Sequence, residues 1–397
     1  MTEPVGPVDV LPDRPVRRSR RVLRWVVGSL ALLLAVTAVG LAVAYRYYGG
    51  LVETVPGLTD LDEGPAAAAE RRGENFLLVG SDTSDSLTDA ELAEIGLSRE
   101  ERDGIRTDTI ILVHVPRDGT SATFVSFPRD SYVSIPGQPD NKLNSAYEAG
   151  ETERPGGGPA KLVETVELLT ELDLHHYVEV DLLGLYDVTN ALGGVEVCLS
   201  QAAREPKSGI DLSAGRHVLD GREALAFVRQ REGLPGGDLG RIRRQQHFVG
   251  SVVREALSTG VLLDPMTLDR LLRAVGGSLR TDPGTSTGDL LDAARSLRGV
   301  VAGQVQFQTV PVADGNARRD VPGNDDASVV LLDEAALPGF FAPLREQASA
   351  PSRPSASSPA PSGSPPAVPA SPAPSLTPAP APSVSPPTTA ADEDCVR

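Results

Sequence analysis

The chain has 397 residues, with 37 lysines and arginines against 54 aspartates and glutamates and a formal net charge of −17 at pH 7. That balance excludes nucleic acid as the main partner, because no broad basic surface is left to neutralise phosphates. The length suits two average domains, but the two ends are unlike the middle, so one large domain with appendages fits better.

Residues 1–24 carry Arg17, Arg18, Arg20, Arg21 and Arg24 with little to bury, and read as a short basic tail. Trp25 to Tyr45 is an uncharged apolar run, long enough at about 1.5 Å per residue to cross a hydrocarbon layer of about 30 Å. The arginines on its N-terminal side and Glu53, Asp60, Asp62 and Glu63 beyond it place the N-terminus in the cytoplasm. The expected location is therefore the cell membrane, crossed once, with the main domain outside. Ala42-Val43-Ala44 also resembles a signal-cleavage site, and cleavage there would export the same domain.

Residues 46–73 read as a stalk, and residues 74–345 as an α/β domain with a central mixed sheet flanked by helices. Expected strands are Asn75 to Val79, Thr109 to Val115, Ala122 to Phe127, Tyr177 to Val180, Val195 to Leu199, Ala226 to Val228 and Gln304 to Val310, all rich in Val, Ile, Leu or Phe. Helical spacing of apolar residues predicts helices over Ala160 to Leu172, Arg241 to Leu257, Met266 to Val275 and Asp289 to Leu297. Residues 346–397 are mostly Pro, Ser and Ala, a composition that cannot bury enough apolar surface to order itself.

Polar clusters follow several of these strands, where open α/β sheets place their ligands. Asp82 and Asp108 stand at strand ends and are candidate Mg²⁺ ligands, the alternative being that each caps a turn. In Phe127-Pro128-Arg129-Asp130 a strand stopped by proline leads into an Arg-Asp pair, read either as a structural ion pair or as an arginine oriented for function. Arg229 and Arg231 stand at strand spacing, and a helix beginning near Asp238 puts Arg241 and Gln245 on one face close to its positive end. Together these four form a cage suited to a pyrophosphate, whereas Arg243 and Arg244 read as surface arginines. Gly156 to Gly158 read as a flexible helix entry or an anion site, and His175 and His176 as structural. The motifs of serine hydrolases, zinc proteases and Walker-type nucleotide sites are missing. Cys198 and Cys395 are the only cysteines; in an exported chain they either close one disulfide that tethers the tail or stay unpaired within it.

The segments starting at Asn75 (NFLLVGSD), Arg106 (RTDTIILVHV), Ser126 (SFPRDSYV), Lys142 (KLNSAY), Leu192 (LGGVEVCL) and Leu219 (LDGREALAFVRQREGLPGGDLGRIRRQQHF) resemble the LytR-CpsA-Psr family in order and spacing. The resemblance runs from about Asn75 to Leu257. It implies a domain that holds a polyprenyl-pyrophosphate-linked glycan, the lipid in an apolar groove and the pyrophosphate among arginines. It also implies Mg²⁺ and transfer of the glycan phosphate to a peptidoglycan hydroxyl at the face of a lipid bilayer. On that resemblance Asp82 and Asp108 match metal positions, and Arg129, Arg229, Arg231, Arg241 and Gln245 match pyrophosphate contacts. Arg106 and Asp238 match further polar positions near the chemistry; Asp238 either accepts the hydroxyl proton or caps its helix. A pyrophosphatase using water, and a membrane-bound regulator or scaffold, are the competing functions. The short basic tail has no DNA-binding helix pair, which counts against a regulator.

Overall fold

A computed structural model describes residues 53–55, 58, 61, 73–81, 88–95, 107–230, 232–234, 237–256, 265–285, 305–349, 388–389 and 395–396. The chain divides into Met1–Gly49 and Gly50–Arg397, and all of these residues belong to the second unit. The basic tail, the apolar run from 25 to 45, most of 46–73 and the helix expected over 289–297 lie outside the described residues. Among those described, no helix is long and apolar enough to cross a membrane.

In chain order the elements are β1 (Glu53–Thr54), β2 (Gly73–Ser81), α1 (Asp89–Glu94), β3 (Thr107–Pro116), β4 (Ala122–Phe127), β5 (Tyr132–Val133), β6 (Asn141–Lys142), α2 (Ser145–Glu153) and α3 (Gly158–Thr170). There follow β7 (His176–Val180), α4 (Leu182–Ala191), β8 (Val195–Leu199), β9 (Ala203–Glu205), β10 (Ile210–Leu212), β11 (Gly215–Leu219), α5 (Gly221–Arg229) and α6 (Asp238–Ala256). The chain ends through α7 (Pro265–Ser278), β12 (Leu279–Thr281), β13 (Val305–Thr309), β14 (Val312–Val321), β15 (Asn324–Leu332), α8 (Leu337–Ser349) and β16 (Thr388–Thr389).

The central sheet is mixed, in the order β1-β12-β7-β2-β3-β4-β13-β16. Strands β7 and β2 run parallel, β2, β3 and β4 alternate in direction, and β4 and β13 run parallel again. Its middle strands are apolar on both faces because both are covered. On one face Leu77, Val79, Leu112, Val125 and Tyr177 pack with Leu162 and Val166 of α3 and Phe341 of α8. On the other, Phe76, Ile111, Val113, Phe124 and Val178 meet Val249 and Val253 of α6. Each fully buried side chain of this kind contributes about 1.5–3 kcal/mol, so the two layers dominate the stability of the unit.

Most expected strands lie within two residues of where the apolar pattern puts them, and the described helices within three, with two departures. The strand read over Val195 to Leu199 exists, but as β8 it pairs antiparallel with β11 in a separate two-stranded sheet, entered through the Gly193-Gly194 turn, where φ is 84° and 109°. The strand read over Ala226 to Val228 is wrong: those residues end helix α5. Asp220 accepts from the Glu223 backbone N–H, and the Glu223 carboxylate accepts from the Asp220 N–H at 3.1 Å. This reciprocal cap starts a helix whose buried Ala224, Leu225 and Phe227 follow helical rather than strand period. At the other end of the chain, helix α8 runs on to Ser349 and β16 adds antiparallel to β13. Cys198 and Cys395 are joined by a disulfide, and the Val396 backbone N–H donates to the Cys198 carbonyl at 3.0 Å.

Candidate active site

Strands β2, β4 and β7 all end on the edge of the sheet from which β3 starts. A cavity of about 170 Å³ opens there between the sheet and helices α4, α5 and α6. Leu78, Ile111, Val180, Leu182, Leu185, Val228, Phe248 and Val249 make its walls apolar, while Asp108, Asp181, Arg229, Arg241 and Gln245 supply its polar part. One compartment thus offers a dry wall and a charged mouth. This suits a ligand that is greasy at one end and multiply anionic at the other.

Helix start and strand end meet across this mouth. Arg129, which follows β4 after Pro128, donates from Nη1 to Asp108 Oδ1 on β3. Its Nε lies 3.7 Å from Asp130 and 3.8 Å from Asp238. Asp238, the first residue of α6, pairs in turn with Arg241 Nη2 at 2.5 Å, and Asp130 pairs with Lys142 at 3.2 Å. The cluster is largely shielded: Arg241 is 3 % exposed and Asp238 19 %. Burial alone would lower the Arg129 pKa, but the carboxylates of Asp108, Asp130 and Asp238 outweigh it and hold the guanidinium more firmly protonated. Burial pushes the Asp238 carboxyl above its ordinary range, against the pull of Arg241 and then Arg129. Arg129 Nε and Asp238 Oδ2 are buried and make no hydrogen bond, a polarity that a bound phosphate and an acceptor hydroxyl would satisfy.

Helix α6 is pinned where it approaches the sheet. Gln246 donates from Nε2 to Ser126 Oγ at 2.9 Å, the Gln308 carbonyl at 3.0 Å and Thr309 Oγ1 at 3.1 Å. That bracket ties α6 to β4 and β13 and sets the height of Arg241 and Gln245 above the strand ends.

Of the residues singled out from sequence, Asp108, Arg129, Arg229, Asp238, Arg241 and Gln245 come together here. Asp82, Arg106 and Arg231 lie outside the described residues. Arg229 arrives as the last residue of a helix, not at strand spacing, so the geometry first read for Arg229 and Arg231 is corrected. Arg244, read as a surface residue, is 1 % exposed. Its signal was present: Arg241, Arg244, Gln245 and Phe248 stand at i, i+3, i+4 and i+7, one face of α6. Asp181, whose side chain accepts from Gly184 N at 2.7 Å to cap α4, also lines the cavity and was not singled out.

Among the described residues no group of three or more His, Cys, Asp or Glu side chains is placed to hold a metal ion by itself. Asp108 on the cavity wall nevertheless suits Mg²⁺, which takes one or two protein carboxylates and completes its shell with ligand phosphates and water.

Comparison with known proteins identifies this architecture. The LytR_cpsA_psr family model matches residues 59–334. The cell wall biosynthesis protein LcpA of Corynebacterium glutamicum is 36% identical over 374 residues, which is 86% of this chain and 70% of that protein. The polyisoprenyl-teichoic acid–peptidoglycan teichoic acid transferase TagU of Oceanobacillus iheyensis is 31% identical over 67% of this chain and 78% of its own. The solved LytR-Csp2A-Psr enzyme from Actinomyces oris shares the fold, with a TM-score of 0.53 at 22% identity over 74% of this chain and 95% of that one. With its sheet, its arginine-rich mouth and this extent of match, the chain belongs to the LytR-CpsA-Psr family.

Proposed function

We propose that the chain is a phosphotransferase that moves a glycan phosphate from a polyprenyl-pyrophosphate carrier to a hydroxyl of peptidoglycan, outside a membrane that its residues 25–45 cross. The observation that carries this reading is the apolar cavity with Arg229, Arg241 and Gln245 at its polar mouth. A prenyl chain is all hydrocarbon and its pyrophosphate is all anion, and the two halves of the site match them in that order. The names of LcpA and TagU, which speak of cell wall biosynthesis and of polyisoprenyl-linked teichoic acid, support the same direction.

In the reaction an acceptor hydroxyl attacks the glycan-side phosphorus, and the bond from that phosphorus to the bridging oxygen breaks. Polyprenyl phosphate leaves with the electron pair, and a phosphodiester remains. Arg129, Arg229 and Arg241 stand where charge spreads over the phosphoryl oxygens, and fixed cations act there without reorganising. Asp238, whose affinity for a proton is raised by burial, takes the hydroxyl proton. Mg²⁺ held by Asp108 and Asp82 would supply further neutralisation of the pyrophosphate charge.

The test is to incubate the detergent-solubilised full chain with a polyprenyl-pyrophosphoryl sugar, Mg²⁺ and a peptidoglycan fragment. Release of polyprenyl phosphate with a new phosphodiester is expected, reduced about 100-fold in Arg229→Ala. Cleavage with water as the sole acceptor would make the protein a pyrophosphatase, and tight lipid binding without turnover would make it a carrier.

A further inference from the structure

Beside the cavity-lining Arg241, Gln245 and Phe248 of α6 lies a buried polar assembly that the proposed reaction does not use. Arg244 is among the largest fully buried side chains. Its guanidinium carbon lies 4.7 Å from the centre of the Phe227 ring, and Nη1 donates to Gln230 Oε1. Gln230 donates from Nε2 to the Glu232 carbonyl at 3.0 Å, and the Glu232 N–H donates to Glu205 Oε1 at 3.1 Å. Glu205 itself is 3 % exposed on β9, and Lys207 of the same hairpin holds Glu232 Oε1 at 2.7 Å. Burial pulls the Arg244 pKa down to about 10 against the opposing charge of Glu205, so the guanidinium stays charged at neutral pH.

We propose that Arg244, acting through Gln230 and Glu205, is a positioning residue that braces the connection between Arg229 and Asp238 and so fixes the anion grip. The connection has arginines at both ends, Arg229 closing α5 and Arg241 one turn into α6. Within it Gly233 and Gly237 take φ of 79° and 59°, a backbone region that glycine enters at no steric cost. A buried charge is costly to keep and is tolerated where it is fully paired. Here it joins α6, α5 and the β9–β10 hairpin at one point. A lysine cannot replace it, because only the planar fork stacks on Phe227 while donating sideways to Gln230.

This inference rests on the phosphate reading of the site, and the experiment separates the two. Arg244→Lys and Gln230→Met, the second leaving Arg244 in place should the first fail to fold, are compared with wild type in the full chain. Backbone amide exchange at Glu232 and Gly237 is measured together with calorimetric titration of inorganic pyrophosphate. Exchange at both amides is expected to rise about tenfold, and pyrophosphate affinity to fall about tenfold, the worth of one lost charged hydrogen bond. In an Arg229→Ala background the second effect should shrink, since Arg229 is the cavity-lining arginine next to the braced Gln230. Unchanged exchange, or an equal affinity loss in both backgrounds, would overturn the brace. Faster exchange in the variants with no pyrophosphate affinity in wild type would overturn the phosphate reading instead.

Discussion

Arg129 is the residue on which the mouth of the cavity turns, because it touches a β3 carboxylate and reaches toward the α6 carboxylate at once. Arg129→Lys keeps the charge but loses the fork, and turnover should fall about 100-fold with little change in thermal midpoint. Asp238 gives a pH signature. If its carboxylate accepts the hydroxyl proton, the acid limb of kcat should lie above the ordinary aspartate value of about 3.9, since burial raises its pKa. Asp238→Asn should abolish that limb along with most of the activity. His247 governs stability instead of turnover. It accepts a hydrogen bond from the Cys198 N–H at 3.3 Å, and burial, then Arg254 and Arg244, lower its pKa from 6.5 to about 4. The unfolded chain therefore binds the proton first, so stability is complete above pH 6.5 and is lost as pH falls toward about 4. His247→Gln, which keeps an acceptor without a titration, should flatten the thermal midpoint across that window.

Elements deliver these residues to one edge, and two local devices set how well. The Asp220–Glu223 cap starts α5, whose last residue is Arg229. Asp220→Ala should cost about 1 kcal/mol in denaturant unfolding and weaken the anion grip at the far end of the same helix. Helices α2 and α3 close together where glycine leaves room: a Cβ on Gly158 would stand 2.6 Å from Tyr147 Cδ1. Gly158→Ala should destabilise by about 1–3 kcal/mol, the range for overpacking, without touching substrate affinity. Strands β2, β3 and β4 were legible because a run of Val, Ile, Leu and Phe bounded by turn residues has one common outcome. Helix α5 was misread because its apolar core, Leu225 to Val228, is as short as a strand, and the cap that decides between the two lies several residues earlier.

For the unit as a whole, the disulfide joins residues 197 positions apart and fastens the end of the chain to β8, while β16 lengthens the central sheet beside β13. Closing so long a loop restricts the unfolded chain, an effect typically worth about 2–4 kcal/mol. Cys395→Ser should lower the denaturation midpoint accordingly, and thiol titration of the unreduced protein should find no free cysteine. The two faces of the sheet carry separate duties. The layer with α3 and α8 is one continuous apolar cluster, and the layer with α6 opens toward the strand ends into the cavity.

The α/β class, the family and most of the residues at the site were determined by the sequence alone, since apolar periodicity, helix starts and short motifs are local properties of a chain. Tertiary structure alone decided that Arg229 ends a helix, that Arg244 is internal, and that Asp181 lines the cavity. It also decided that Arg129 reaches from Asp108 toward Asp238, residues separated by more than a hundred positions. The physical reason is that burial and charge pairing depend on which surfaces the strand order brings together, and no window of sequence contains both partners.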